Sequence, residues 1–405
     1  MFKNDGWLSF QEIKTASRSR KLILYGRSED WLPKTTTKLH IRPELILDQN
    51  PKYENTDYNG IPVFNSSKID TLQPSNYFIV ITSSIFLEIE KKLKNLGWSR
   101  GKDFCYSPAY RDYSELNAMK NYSPDLLVSS SDYPAGEAAR SSENGGGLFH
   151  LTDQYQEPRL VLSGAFRQIS KFEENFLAVD YVNNHLIEFN LEGKIKNSME
   201  LEFANYCGLT IIKERGLVIA VNAGKDIISL FDLETLKLIR HVPFGEKSYN
   251  NSLYHVNDCC SDGTSLFVSY FSKTGNYKKG VFDGGIVEFN IDHPEKSHEL
   301  YKDLWMPHSP EIIDGSLHVC DSMRGKVYQN DKTEVCQINC FARGLCFDGD
   351  YYYVGSSENM YISRLKNHKK HIMNNAGVFM VSPKISMSRF IPFQKNMNIH
   401  DIVSL

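Results

Sequence analysis

Short apolar runs, each closed by glycine or a polar residue, set the rhythm of the first hundred positions. KLILYG over 21–26, ELILD over 44–48 and YFIVIT over 77–82 each predict a buried strand. Between 85 and 96 the period changes. Ile85, Ile89, Leu93 and Leu96 recur on one helical face, Lys and Glu fill the other, and Gly97 stops the helix. Strand runs alternating with a helix predict a small parallel α/β sheet over residues 1–110.

From 111 onward the runs shorten and repeat. Six segments begin with a polar residue and continue as an apolar strand, headed by Arg167, Cys207, His255, His308, Arg343 and His400. Their spacings are 40, 48, 53, 35 and 57 residues, near the roughly 40–50 of propeller blades. Four strands follow Cys207 (209–214, 217–223, 226–233, 237–244) and four follow His308 (311–314, 316–322, 326–331, 334–339), as a blade requires. Asp314-Gly315 and Asp348-Gly349 predict tight hairpins. The end, 400–405, supplies one strand only. Segments 126–131, 147–152 and 159–164 supply the missing three, which closes the ring without an exposed edge. The expected fold class is multidomain: a Rossmann-like α/β domain over 1–110 and an all-β propeller over 120–405. Six blades are expected, with slack at 245–254 and 359–387 leaving seven as the alternative. Residues 108–124 read as a polar connection between the two.

Composition narrows the function classes. The net charge is −3, from 46 Lys and Arg against 49 Asp and Glu, which argues against a nucleic-acid partner. With 41% hydrophobic and 23% charged residues the chain is a folded protein rather than a disordered one. No apolar stretch has the length of a membrane span and no signal-peptide core is present, so a cytoplasmic location is expected. The eight cysteines form no CxxC pair. Reduced thiols on buried strands are expected, including Cys336, Cys340 and Cys346, whose spacing alone could suggest a metal.

Leu24-Tyr25-Gly26, Leu47-Asp48, Tyr58-Asn59-Gly60-Ile61-Pro62-Val63 and Ile81-Thr82-Ser83 resemble the small Rossmann-like domain that precedes bacterial sugar acyltransferases. That resemblance implies surface-polysaccharide or nucleotide-sugar chemistry. The turn after the first strand reads Gly26-Arg27-Ser28-Glu29-Asp30-Trp31. It lacks the GxGxxG that lets a pyrophosphate approach backbone. Asp48 stands where a ribose-binding acid would, yet NAD is disfavoured, and a docking or dimerising role is the favoured expectation.

His255-Val256-Asn257-Asp258, the PHSP segment 307–310, Asp314-Gly315-Ser316-Leu317-His318-Val319, Arg343-Gly344-Leu345 and His400-Asp401 resemble an uncharacterised bacterial β-propeller family, a domain of unknown function. More distantly the chain is similar to the six-bladed propellers of gluconolactonases, paraoxonases and strictosidine synthases. The first resemblance implies a fold and no settled activity.

In a propeller the first strand of each blade lines the axis, so distant residues converge there. His255, Asp258, His308, Glu311, His400 and Asp401 are the candidate catalytic residues. Arg167, Asn257 and Arg343 are the candidate substrate-binding residues, the arginines for a carboxylate or phosphate. His255, His308 and His400 head three repeats and are candidate ligands for Zn, Mn or Fe. Asn257, Asp258, Asn222 and Glu311 offer the hard oxygens that Ca²⁺ prefers. A metal-free acid–base site and a purely structural channel lining both remain open. The loop 133–147 is a lid or a plain connection, and His368-Lys369-Lys370-His371 reads as solvated surface.

Three functions remain. The first is a hydrolase or lyase of surface-polysaccharide or nucleotide-sugar metabolism, acting on an acidic or phosphorylated sugar. The second is a glycan- or ligand-binding module without turnover, and the third is a protein-interaction scaffold. A small sugar or nucleotide-sugar is the expected partner. A homodimer through the N-terminal domain stays open.

Overall fold

The computed structural model describes residues 7–136, 141–153, 156–249, 252–330, 332–358 and 372–405. The run His368–His371 and parts of the slack segments lie outside the described residues. The chain divides into two compact units, residues 1–121 and 122–405.

The first unit is a mixed six-stranded sheet, ordered Thr56–Tyr58, Ile61–Asn65, Leu45–Asp48, Lys21–Tyr25, Tyr77–Ile81, Phe104–Tyr106. Every neighbouring pair is parallel except the Thr56–Tyr58/Ile61–Asn65 hairpin at one edge. Apolar side chains alternate between its two faces. Ile23, Leu45, Leu47, Ile79 and Ile81 pack under the helix Phe86–Asn95, which brings Ile89 and Leu93. Leu22, Leu24, Ile46, Phe78 and Val80 pack on the other side with Ile13 and Leu32, from the helices Phe10–Ala16 and Trp31–Lys38. Each fully buried branched side chain contributes about 1.5–3 kcal/mol. The segment expected as a polar connection is largely helical. Pro108–Tyr110 forms a single 3₁₀ turn and Arg111–Asn121 an α-helix that groups with the first unit. Its weak amphipathicity hid it from a reading of apolar spacing.

The second unit is a six-bladed β-propeller, six four-stranded antiparallel sheets. The innermost strands are, in order, Phe166–Phe172, Tyr206–Ile212, Val256–Ser261, Pro307–Ile313, Phe341–Phe347 and Asp401–Ser404. The sixth sheet is built from both chain regions. Asp401–Ser404 is innermost, followed outward by Leu126–Ser130, Gly147–Leu151 and Arg159–Ser163. Apolar residues fill the spaces between adjacent blades. Ile219, Val221 and Ile228 of the second blade meet Val256, Cys259, Val268 and Tyr270 of the third, all buried. All eight cysteines are free thiols, and six are buried.

The two Asp-Gly pairs behave differently. Asp314 and Gly315 both take positive φ, 49° and 72°, between Pro307–Ile313 and Ser316–Asp321, as a two-residue hairpin turn requires. Asp348-Gly349 instead opens a four-residue loop, in which Asp348 Oδ1 accepts from the Asp350 and Tyr351 N–H groups.

Candidate ligand site on the propeller axis

Each of the first five inner strands carries a β-bulge near its start. The pairing registers shift across Phe166/Ile169, Tyr206/Gly208, Val256/Cys259, His308/Glu311 and Ala342/Leu345. A bulge adds one residue and re-aims its side chain. The bulged residues Arg167, Cys207, Asn257 and Arg343 line one cavity together with His308, which stands one residue ahead of its own bulge, and these five form an upper layer around the axis. The next layer down is Gln168, Gly208, Asp258, Ser309, Gly344 and Asp401.

This corrects one sequence expectation. His255 does not stand in the upper layer; Asn257 holds that place in the third blade. His255 precedes its strand in the left-handed region at φ 51°, its ring 4.7 Å from that of Phe271 and 5.2 Å from that of Tyr277. Buried Asp226 fixes the segment by accepting from the N–H groups of Leu253, Tyr254 and Val256. The spacing of polar heads could not separate positions 255 and 257, since the local sequence His-Val-Asn offers two polar residues on one alternation.

The upper layer floors a cavity of about 400 Å³. Arg167, Asn257, His308 and Arg343 line it, with His255 on its wall and Tyr181, Phe271 and Phe341 as aromatic sides. A second cavity of about 330 Å³ opens along the far halves of the inner strands, and Glu311 lines that one. The candidate residues are therefore split. His255, His308, Arg167, Asn257 and Arg343 share the first cavity, and Glu311 faces the second. Asp258, Asp401 and His400 line neither and are sealed in the wall of side chains between them.

The lower layer binds the blades to one another. Asp258 Oδ2 accepts from the Ser309 N–H at 2.8 Å, and Ser309 Oγ accepts from the Gly344 N–H at 2.8 Å. Asp401 Oδ2 accepts from the Ile169 N–H at 2.8 Å. Gln168 spans two junctions. Its Oε1 accepts from the Leu209 and Cys259 N–H groups, and its Nε2 donates to the Cys259 carbonyl at 2.7 Å. Gln168 and Ser309 were given no role from the sequence. The signal was present as a small or polar residue directly after five of the six anchors, His255 being followed by Val256.

Burial sets the electrostatics. The Asp258 carboxyl is pushed up to about 6 by burial, while the Ser309 N–H, Arg343 and Arg167 pull it down. Asp401 and Glu311 are raised well above the carboxylate range, again chiefly by burial, with the neighbouring carboxyls adding. His308 is driven well below the ordinary imidazole value by burial, Arg343 adding to it, so its ring is neutral. Its Nδ1 lies 2.9 Å from the Met306 carbonyl, which can only accept. Nδ1 therefore carries the proton and Nε2 presents a lone pair. Arg167 is buried with its guanidinium 4.2 Å from the centre of the Tyr181 ring. Among the described residues no carboxylate pairs with it, and its Nε has no hydrogen-bond partner.

The three histidines do not form a metal centre. Among the described residues no group of three His, Cys, Asp or Glu side chains is disposed to hold an ion. His308 and His400 rings lie 6.3 Å apart, edge to face. The oxygen set does not gather either: Asn222 Oδ1 is engaged by the Gly224 and Lys225 N–H groups, and Glu311 faces the other cavity.

In the first unit, Asp48 accepts from the Arg27 and Asn50 N–H groups, so both its oxygens serve the turns. A Cβ on Gly26 would stand 2.4 Å from Ser83 Cβ, so that turn lies hard against the next strand's end.

The family described as "Domain of unknown function (DUF4915)" matches residues 210–405. No curated protein matches the chain. Among solved structures the chain is similar to a gluconolactonase from Xanthomonas campestris, at 12% identity over 69% of this chain and 88% of that one, TM-score 0.44. It is similar to a calcium-binding protein, regucalcin, from Agrobacterium tumefaciens, at 13% identity over 55% and 72%, TM-score 0.40. A protein of unknown function from Bacteroides caccae aligns at 11% identity over 69% and 98%, TM-score 0.45. No helix among the described residues is long and apolar enough to cross a membrane.

Proposed function

We propose that the propeller is an enzyme acting on a small acidic or phosphorylated sugar in the 400 Å³ cavity, by hydrolytic or eliminative chemistry. The observation that carries this is Arg167. A buried guanidinium with no carboxylate paired to it among the described residues, and only the more distant charge of Asp258 acting on it, gains from an anion that supplies a direct counter-charge. Arg343 reaches the same cavity from another blade, so the two can grip one carboxylate or phosphate from two sides. Asn257 Nδ2, buried and without a partner among the described residues, adds a donor.

Neutral His308 is the general base. Arginines on a substrate carboxylate withdraw charge and acidify the adjacent C–H, which the Nε2 lone pair can take in an elimination. In a hydrolysis the same lone pair takes the proton of water. His255, on the far side of Phe271, is placed to return a proton to the leaving oxygen. Asp258 and Asp401 are tied to backbone and leave the catalytic set.

The N-terminal unit serves docking or self-association in this reading, since Asp48 and Gly26 are occupied by their own turns. Surface-polysaccharide metabolism remains the proposed setting, supported by the resemblance of that unit's motifs.

The test is a panel of hexuronates, uronate-containing oligosaccharides and sugar phosphates, assayed for binding and turnover. Arg167→Leu is expected to weaken binding at least about tenfold. His308→Gln is expected to lower kcat about a hundredfold or more with little change in KM. Binding with no turnover of any panel member would leave a ligand-binding module. No binding by any member would refute the site.

A further inference from the structure

We propose that Asp258 takes up a proton when an anion binds the arginines above it, so that ligand binding is linked to protonation of a group the ligand never touches. The inference rests on the ligand reading given above and deepens it.

The geometry is a three-level stack along the axis. Arg167 and Arg343 stand in the upper layer, at the floor of the first cavity. Asp258 stands one residue deeper, at 1% exposure, and lines neither cavity. Its Oδ2 is held by the Ser309 N–H, while Oδ1 is buried with no hydrogen-bond partner among the described residues. Asp401 from the sixth blade shares its layer, and Glu311 from the fourth lies deeper, at the second cavity. An ionised carboxylate beside an unfilled oxygen is costly in such a place unless positive charge lies near. Here Arg343 and Arg167 supply that charge, so Asp258 is their resident counter-ion while the cavity is empty of anions.

The groups that act on Asp258 come from several elements. Arg167 belongs to the first blade and Arg343 to the fifth, and both favour its ionised form. Glu311 of the fourth blade and Asp401 of the sixth feel its charge as repulsion. So do the buried thiols of Cys259, next to it, and Cys320. The second blade places Gly208 against the Asp258 backbone. The Ser309 N–H and the two arginines together hold the carboxylate charged, and of these only the arginines face the ligand cavity. An anion on them cancels their pull, and the proton-bound form of Asp258 becomes the stable one.

The sign follows. Free Asp258 titrates at about 6, and anion binding moves that value upward. Between the two values each anion bound brings in up to one proton from solvent. Affinity therefore rises as pH falls towards 6, by up to about tenfold per pH unit, and levels off below.

The probe is inorganic sulfate, whose charge is constant across this range, with D-glucuronate as a second anion. Calorimetry in buffers of different ionisation heat counts protons directly. The unmutated protein is expected to take up a fraction of a proton, approaching one, per sulfate near pH 7. Asp258→Asn keeps an acceptor for the Ser309 N–H. It is expected to bind sulfate with no proton uptake, with flat pH dependence, and more tightly than the unmutated protein at pH 8. Uptake that persists in Asp258→Asn would place the proton on His308 or another group and overturn the proposal. If the variant does not fold, zero uptake by the unmutated protein alone overturns it. Sulfate binding that depends on Arg167 but carries no proton refutes this inference and leaves the ligand site standing. Failure of both anions to bind refutes the ligand site as well.

Discussion

Gln168 is the residue whose loss should show most directly how the ring is held shut. Its side chain is buried and leaves the first blade to reach two others. It accepts from the Leu209 N–H at 2.9 Å and the Cys259 N–H at 3.0 Å, and donates to the Cys259 carbonyl at 2.7 Å. Gln168→Ala removes all three bonds and leaves three backbone groups of the second and third inner strands without partners. Each unsatisfied buried group costs about 1–3 kcal/mol. Gln168 and Cys259 both line the second cavity, so water can reach the gap and repair part of the loss. The low end of the range therefore applies, about 3–5 kcal/mol in all. At roughly 2–4 °C per kcal/mol for a domain of this order, the propeller's Tm should fall by at least about 6 °C. The assay is thermal and urea unfolding of the full chain followed by near-ultraviolet circular dichroism, which reports the aromatic-rich blades. Gln168→Glu keeps both acceptor bonds but sets a carboxylate oxygen against the Cys259 carbonyl, so it should fail at neutral pH and recover in acid. A Gln168→Ala protein within about 1 kcal/mol of the unmutated one would show that the lower layer does not hold the blades together.

Gly208 should tolerate no side chain. A Cβ there would meet the Asn257 carbonyl oxygen at 2.5 Å and the Asp258 Cα and Cys259 N at 3.0 Å, all backbone atoms that cannot turn aside. Gly208→Ala is expected to cost about 2–4 kcal/mol in urea unfolding. Gly315→Ala, with nothing within 4 Å, should cost only the left-handed backbone strain, about 1 kcal/mol. Removing residues 400–405 takes away the inner strand of the sixth blade, which pairs with Leu126–Ser130, and frees the Ile169 N–H from Asp401. Chain ends usually tolerate trimming, but here soluble yield and Tm should both collapse, and an unchanged Tm would refute the role of that strand.

Much of the architecture was legible because it is written in local patterns. The runs KLILY, LILD and YFIVI are apolar enough to read as buried parallel strands, and all three lie at the centre of the first sheet. The Ile89/Leu93 period marked the helix Phe86–Asn95. Six polar-headed strands marked six blades, because each blade must solve the same packing problem with its own residues. The helix Arg111–Asn121 escaped, since its sequence is only weakly amphipathic. So did the difference between the two Asp-Gly turns, because a dipeptide does not say how many residues its loop needs.

The candidate site divides the same way. The repeat made the polar residues at the heads of the inner strands comparable, and so pointed to Arg167, His308 and Arg343, but it took His255 for a strand residue where the strand begins at Val256. It could not determine depth along the axis. One residue of offset separates a side chain that floors a cavity from one that staples two strands, because successive residues on a bulged strand point to different levels. Asn257 and Asp258 are neighbours in sequence, yet one faces ligand space and the other is sealed beneath it. Only the tertiary structure sets Arg167 beside Tyr181 with no carboxylate partner among the described residues, and Asp258 within reach of both arginines without pairing to Arg167. Those relations are between blades, across hundreds of residues of chain. They depend on bulge registers and inter-blade spacing, which no local pattern of hydrophobic and polar positions encodes.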